Sequence, residues 1–164
     1  MNKDDIVELL EYNRWAKQRL LDSLETVKQE DFDNDLHSSH GGIRGTLYHM
    51  VNAENIWYSR LAGQQVKMLD EKGLRDVKSL RAKWDELDSS LEALIRSSTD
   101  EQLKSQFEYQ DLRGNKYTQP RMWALSQLFN HFTYHRGQIV AMQRQLGYKP
   151  VNTDMIGFYR EKRS

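Results

Sequence analysis

The chain contains no cysteine, and it has only two prolines and nine glycines among its 164 residues. Without cysteine the protein can form no disulfide, offers no thiolate to a metal and has no thiol nucleophile of its own. Few helix-breaking residues, most of them between periodic segments, favour long helices. A chain of this length can bury a full hydrophobic core, and we expect residues 1–164 to form a single domain.

An excess of charge of one sign and a long apolar run are also absent. The 24 Lys and Arg residues balance the 24 Asp and Glu residues, so the formal net charge is zero. Binding of nucleic acid through bulk electrostatics requires a strongly basic face, so we expect no nucleic-acid partner. No apolar run approaches the roughly 18 residues of a membrane span, and the first residues lack the apolar core of a signal peptide. These absences predict a soluble cytoplasmic protein.

Apolar residues recur at helical spacing in four long segments, each with one apolar face. The four predicted helices span residues 4–27, 41–61, 77–98 and 119–147. Ser38 or Ser39 is the expected N-cap of the second helix, and Gly63 is its stop. Pro120 lies in the expected first turn of the fourth helix, which Gly147 ends.

The segments between these helices are polar. Residues 28–39 are predicted to form a loop, and residues 64–76 are predicted to form a polar connector. Residues 103–118 alternate polar and apolar side chains around Gly114, which predicts a short hairpin or an extended loop with a glycine turn. The C-terminal tail is expected to dock against the body of the protein through three apolar residues: Ile156, Phe158 and Tyr159. Four long amphipathic helices with such connectors predict an all-α four-helix bundle.

Two histidines lie four residues apart in the fourth predicted helix. This spacing places His131 and His135 on one side of the helix, with His135 inside the apolar stripe and His131 at its edge. Buried imidazole nitrogens without hydrogen bonds or a metal are costly, so both rings need partners. Zinc and nickel accept neutral imidazole, and His49 in the second helix is the economical third ligand. No glutamate follows His131, which excludes the HExxH arrangement of metalloproteases.

The other two histidines, His37 and His40, belong to the irregular stretch before the second helix. Histidines in loops are usually solvated, and a mobile loop preorganises ligands poorly. We therefore expect both side chains to be solvated and leave them out of the predicted metal site.

Glu54 and Gln138 are the candidates for catalytic roles beside the metal. Glu54 lies within the apolar stripe of the second helix, and a buried carboxylate has to be paired. It could accept a hydrogen bond from an imidazole, or it could pair with Arg14 or Arg136. Gln138 lies one turn beyond His135 on the same side of the helix, where it could orient a ligand or a metal-bound water.

Two segments resemble the signatures of a known family. NHFTYHRGQI, residues 130–139, and LYHMVNAENIWYSRLAG, residues 47–63, are similar to the two signatures of the DinB family, related to the YfiT-like proteins. EYNRWAKQRLL and TDMIGFYREKR resemble the edges of that family, so the resemblance covers essentially the whole chain. It implies a four-helix bundle, often a homodimer, in which three histidines bind a divalent metal described as zinc or nickel. The matching positions are His49, His131 and His135.

The resemblance leaves three functions open. Relatives include thiol-dependent transferases and isomerases, so the first hypothesis is a metal-dependent S-transferase that joins a low-molecular-weight thiol to a small electrophile. The second is a metal-dependent hydrolase in which metal-bound hydroxide is the nucleophile. The third is a non-catalytic, metal-stabilised binding module in a stress response. All three imply a small-molecule ligand or a protein partner, and none implies contact with DNA.

Overall fold

The computed structural model describes residues 1–163, which form seven α-helices, one short 3-10 helix and two β-strands. In chain order the elements are α1 (Lys3–Leu24), α2 (Gln29–Asp33), α3 (Ile43–Leu61), the 3-10 helix (Glu71–Gly73), α4 (Val77–Ser97), α5 (Asp100–Lys104), β1 (Gln106–Gln110), β2 (Lys116–Pro120), α6 (Arg121–Gln145) and α7 (Met155–Lys162). The prediction of a mostly helical chain is confirmed. Within the described residues, no helix combines the length and the apolar content needed to cross a membrane.

The four long helices α1, α3, α4 and α6 pack around one hydrophobic core. Helices α1 and α3 each make their main contacts with both α4 and α6. Fully buried leucines come from all four helices, for example Leu20, Leu47, Leu91 and Leu128. Because α3 and α6 lie side by side, residues on their facing sides can form one site.

The start of α3 differs from the prediction. Its N-cap is Gly42, and no side chain caps it, so the expectation that Ser38 or Ser39 caps this helix is wrong. The reason is that Ser38 pairs with Gly41 through the backbone in an isolated bridge, which keeps the serines away from the first turn of the helix. Helix α6 begins after Pro120, which is its N-cap and the last residue of β2.

The connectors contain more structure than their sequence predicts. The segment expected to be a loop includes helix α2, whose Phe32 is buried in the main core. The predicted hairpin is present, with β1 and β2 paired antiparallel from Gln106 opposite Pro120 to Gln110 opposite Lys116. It carries the chain from α5 to the start of α6.

The C-terminal tail docks against the body of the protein, as predicted. It does so as helix α7, which packs on α1. Phe158 is buried in a small second cluster with Tyr12 and Ala16, and Tyr159 packs against its edge. Ile156 is instead 55% exposed, so only part of the expected apolar contact is made.

Candidate metal centre

Four histidine rings from three segments converge between α3 and α6. His49 comes from α3, His131 and His135 come from α6, and His40 comes from the turn that precedes α3. The closest ring centroids are those of His40 and His49 at 3.9 Å, and those of His131 and His135 at 4.3 Å. The His49 centroid lies 4.7 Å from that of His135 and 5.0 Å from that of His131. The rings therefore form one cluster.

Three of the rings have nitrogens close enough to share one ion, and a nitrogen of the fourth, His131, lies next to one of these three. The ligand nitrogens of His40, His49 and His135 all lie within 4.8 Å of one another. The Nε2 atoms of His49 and His131 are 2.9 Å apart. Nitrogens bound to one zinc ion lie about 2 Å from the metal and hence roughly 3 Å from each other. The His49 and His131 nitrogens are already at that distance. A small inward movement of the rings would bring the nitrogens of His40, His49 and His135 to it.

The three predicted ligands thus lie in one cluster, and binding of a metal by His49, His131 and His135 remains a prediction. Helical spacing accounts for the α6 pair, since residues four apart share a face. Contact between α3 and α6 brings His49 against that face.

The structure overturns the expectation that His40 is simply solvated. His37 is 93% exposed, as predicted, whereas His40 is half-buried against the other rings. The segment that carries His40 is fixed by backbone hydrogen bonds: the Gly41 carbonyl accepts from Leu36 at 2.8 Å and from Ser38 at 3.1 Å. In the sequence, the feature that marks His40 is the short HGG run directly before the helix. Whether this run places His40 near the other histidines depends on how the turn packs against α3.

Burial favours the neutral form of three of the four rings. It lowers the pKa of His49 and of His131 to about 4, with further lowering from the neighbouring imidazoles. The pKa of His40 is lowered as well, mainly by burial and secondly by electrostatic repulsion from His135. Within residues 1–163 no carboxylate forms a hydrogen bond or ion pair with these four rings. Neutral imidazoles without carboxylates suit zinc, nickel or copper better than magnesium or calcium.

Gln138 fixes one of the rings. The Nδ1 atom of His135 lies 2.6 Å from Gln138 Oε1. An amide oxygen only accepts, so Nδ1 donates in this bond, and in the neutral form of the ring the lone pair is on Nε2. Such a partner behind a metal-binding histidine sets both its tautomer and its orientation. Gln138, predicted to orient a ligand or a metal-bound water, is thus placed to orient His135.

Glu54 is buried as predicted, but its partner is a different residue. It is 1% exposed, its Oε2 accepts a hydrogen bond from Trp84 Nε1 at 2.5 Å, and its Oε1 has no hydrogen-bond partner among the described residues. The pKa of Glu54 is raised to about 8, mainly by burial and secondly by electrostatic repulsion from Asp88. The expected pairing with Arg14, Arg136 or an imidazole is wrong. Arg14 bonds to carboxylates on α4, and Arg136 donates to neutral oxygens on α1 and α6.

With a histidine cluster held between its packed long helices, the chain belongs to the class of helical proteins with a candidate metal centre. The DinB family profile matches residues 1–163, and the chain belongs to the DinB family. Protein DinB of Bacillus subtilis (strain 168) is 27% identical in an alignment of 164 positions, and the alignment covers 95% of this chain and 94% of that protein. The crystal structure of a DinB-like protein from Bacillus cereus ATCC 10987 has the same fold, with a TM-score of 0.68 at 20% identity over 88% of this chain and 94% of that one.

Proposed function

We propose that the protein is a metal-dependent S-transferase that joins a low-molecular-weight thiol to a small electrophile. A divalent ion, zinc or nickel, would be held by His49, His131 and His135 in a four-helix bundle. The observation that carries the proposal is the convergence of imidazoles, with no carboxylate of residues 1–163 bonded to them, in a chain that has no cysteine.

The donor set favours an anionic sulfur ligand. Neutral imidazoles leave the charge of a divalent ion uncompensated, so the site favours an anion as a further ligand. A metal bound there would lower the pKa of a coordinated thiol and keep it as the thiolate, which is the reactive form. In such a transfer the thiolate sulfur would form the new bond to carbon, the leaving group would depart with the electron pair of the broken bond, and the thiol proton would pass to solvent. Because the protein lacks cysteine, the sulfur comes from the cosubstrate.

The hydrolase alternative has weaker support. Metal-assisted hydrolysis uses a general base within hydrogen-bond reach of the attacking water. Glu54 was the inward carboxylate available for that role, but its bonded oxygen is turned to Trp84. Its raised pKa of about 8 also keeps most of it protonated at neutral pH, when it cannot accept a proton.

Gln138 has a positioning role in this proposal. Its bond to His135 Nδ1 fixes the orientation of that ring and leaves Nε2 as the nitrogen available to a metal. Replacing Gln138 with leucine would leave that proton unsatisfied and lower metal affinity by about 10- to 100-fold, as is usual for partners of metal-binding histidines. Replacing it with glutamate would preserve an acceptor, so Gln138→Glu should retain most of the affinity.

The first test is the metal content of untagged protein, measured by elemental mass spectrometry beside His135→Ala. We expect about one equivalent of metal in the wild type and a loss in the variant. His37→Ala is the matched control because His37 is exposed and outside the cluster. Absence of metal from the wild type, even after incubation with zinc and nickel, would exclude a metalloenzyme.

The second test separates the functions. An S-transferase consumes an electrophile such as monochlorobimane only when both a thiol and the metal are added. A hydrolase cleaves its substrate without a thiol and loses activity in Glu54→Gln. A binding module shows neither activity, and metal removal lowers only its thermal stability.

We further propose that the protein is a homodimer, a state supported by the family resemblance. Sedimentation equilibrium over a range of concentrations tests it directly. A monomer mass at all concentrations would contradict this proposal and leave the metal site unaffected.

A further inference from the structure

We propose that His40 is a fourth ligand of the metal centre, supplied by the turn before α3. The inference rests on the proposed metal-binding function and goes beyond its three-histidine site. It assigns a ligand to a segment outside the long helices that carry the other three.

The ring contacts place His40 within the cluster. Its ring is stacked on that of His49, with centroids 3.9 Å apart and planes inclined by 17°. It also meets the ring of His135 edge-on, with centroids 5.3 Å apart. A nitrogen of His40 lies within 4.8 Å of ligand nitrogens of both these residues. His49 and His135 are therefore central, and His40 and His131 flank them.

The backbone holds His40 in this position. A Cβ atom added at Gly45 would lie 1.9 Å from the His40 carbonyl oxygen, so this carbonyl rests directly on the first turn of α3. A Cβ atom at Gly42 would lie 2.0 Å from the Asn34 carbonyl oxygen, so the backbone at Asn34 packs equally closely against Gly42. Only glycine permits either approach, since no other residue lacks Cβ.

These contacts answer the objection that a loop ligand is poorly ordered. The His40 segment is pinned by its own backbone hydrogen bonds and by the two glycine contacts, which is the preorganisation that a metal ligand needs. Four imidazoles would close a tetrahedral site at rest. Such a site would admit a cosubstrate if it expanded to five ligands or released His40, which is the proposed ligand that is not on a long helix.

Cobalt substitution tests the proposal by a readout other than activity. Co(II) absorbs strongly in the visible region when it has four ligands and weakly when it has five or six. The Co(II) spectrum and the metal affinity, measured by chelator competition, are compared for the wild type, His40→Ala, His49→Ala and His37→Ala. We expect His40→Ala to alter the spectrum and to weaken affinity about tenfold or more, and His37→Ala to match the wild type.

The outcomes separate this inference from the proposed function. If the wild type binds metal, His49→Ala loses it and His40→Ala matches the wild type in spectrum and affinity, His40 is not a ligand and the three-histidine site stands. If the wild type binds no metal, both are overturned. Circular dichroism melts of the metal-free variants establish that each is folded.

A second variant displaces His40 without removing any imidazole. Gly45→Ala should push the His40 carbonyl off α3 and weaken metal affinity in the same direction as His40→Ala. Gly73→Ala is the matched control, because a Cβ there meets nothing within 4 Å. Wild-type affinity and spectrum in Gly45→Ala would overturn the view that this contact positions a ligand.

Discussion

Trp84 of α4 donates a hydrogen bond from its indole Nε1 to Oε2 of Glu54 on α3, at 2.5 Å, inside the hydrophobic core. Both residues are almost completely buried. The bond joins two helices in surroundings where an unsatisfied donor or acceptor costs about 1–3 kcal/mol. Glu54 therefore links two helices of the core.

Glu54→Gln should be more stable than the wild type at pH 8 and about equally stable at pH 4.5. The pKa of Glu54 is raised to about 8 in the folded protein, whereas in the unfolded chain a glutamate titrates at about 4.3. Between these values the folded state holds the extra proton, so the wild-type free energy of unfolding falls as pH rises. Glutamine keeps an acceptor for Trp84 and does not titrate.

Urea denaturation of both proteins at the two pH values measures this difference. Glu54→Leu is the control: it removes the carboxyl but orphans the Trp84 donor, so it should lose about 1–3 kcal/mol relative to Glu54→Gln at either pH. An identical stability difference between wild type and Glu54→Gln at pH 4.5 and pH 8 would contradict the raised pKa.

Lys17→Met should destabilise the protein by about 3 kcal/mol, near the lower end of the range for breaking a buried ion pair. Lys17 Nζ lies 2.8 Å from oxygens of both Asp85 and Asp88, and the side chains of Lys17 and Asp88 are only 7% and 8% exposed. The loss stays at the lower end because Arg14 remains 3.0 Å from Asp88.

The matched control for the buried lysine is Lys83→Met. Lys83 pairs with Glu86 on the same helix, where their side chains are 28% and 66% exposed, so its loss should cost less than about 1 kcal/mol. Thermal or urea denaturation compares the two variants. Equal losses of stability in the two variants would show that the buried ion pairs of Lys17 contribute no more than the exposed ion pair of Lys83.

Helical periodicity predicted the parts of the site that lie on helices. The four-residue spacing of His131 and His135 fixes their common face whatever the surroundings, and His49 follows from its place on a second periodic segment. The same periodicity places Glu54 on the apolar stripe of its helix and so predicts its burial. It could not identify Trp84 as the partner, because that depends on how α3 and α4 pack.

The missed features depend on contacts that spacing does not encode. His40 lies in the cluster while its carbonyl packs closely on Gly45, and the sequence shows neither that approach nor the pairing of Ser38 with Gly41. Helix α2 is five residues long, too short for periodicity to be recognised, and it is held by burial of Phe32.

Acid should destabilise the metal-free protein through His49 and His131. Each has a folded-state pKa of about 4, and in the unfolded chain a histidine titrates at about 6.5. Between these pH values the unfolded state binds more protons, so the free energy of unfolding should fall as pH drops from about 6.5 to about 4. Above this window neither state binds the proton, and below it both do, so this contribution stops changing.

His131→Gln tests the acid effect by removing one of the two titrating groups. We expect its stability to fall less steeply with acid than that of the wild type over the same window, as measured by urea denaturation of both metal-free proteins. His37→Ala is the control, because His37 is exposed and should leave the slope unchanged. An unchanged slope in His131→Gln would contradict the lowered pKa.

Two glycines inside helices should respond oppositely to the same substitution. Gly137→Ala should stabilise the protein by about 0.5–1 kcal/mol, because alanine is the better helix former and a Cβ at this position in α6 meets nothing within 4 Å. Gly45→Ala makes the same change within α3, but its Cβ would lie 1.9 Å from the His40 carbonyl oxygen, so the clash should exceed the gain and lower stability. Urea denaturation of the metal-free proteins measures both, without any contribution from metal binding. Stabilisation by both substitutions would mean that the turn before α3 yields easily, whereas a loss confined to Gly45→Ala would show that close packing holds His40 against the helix.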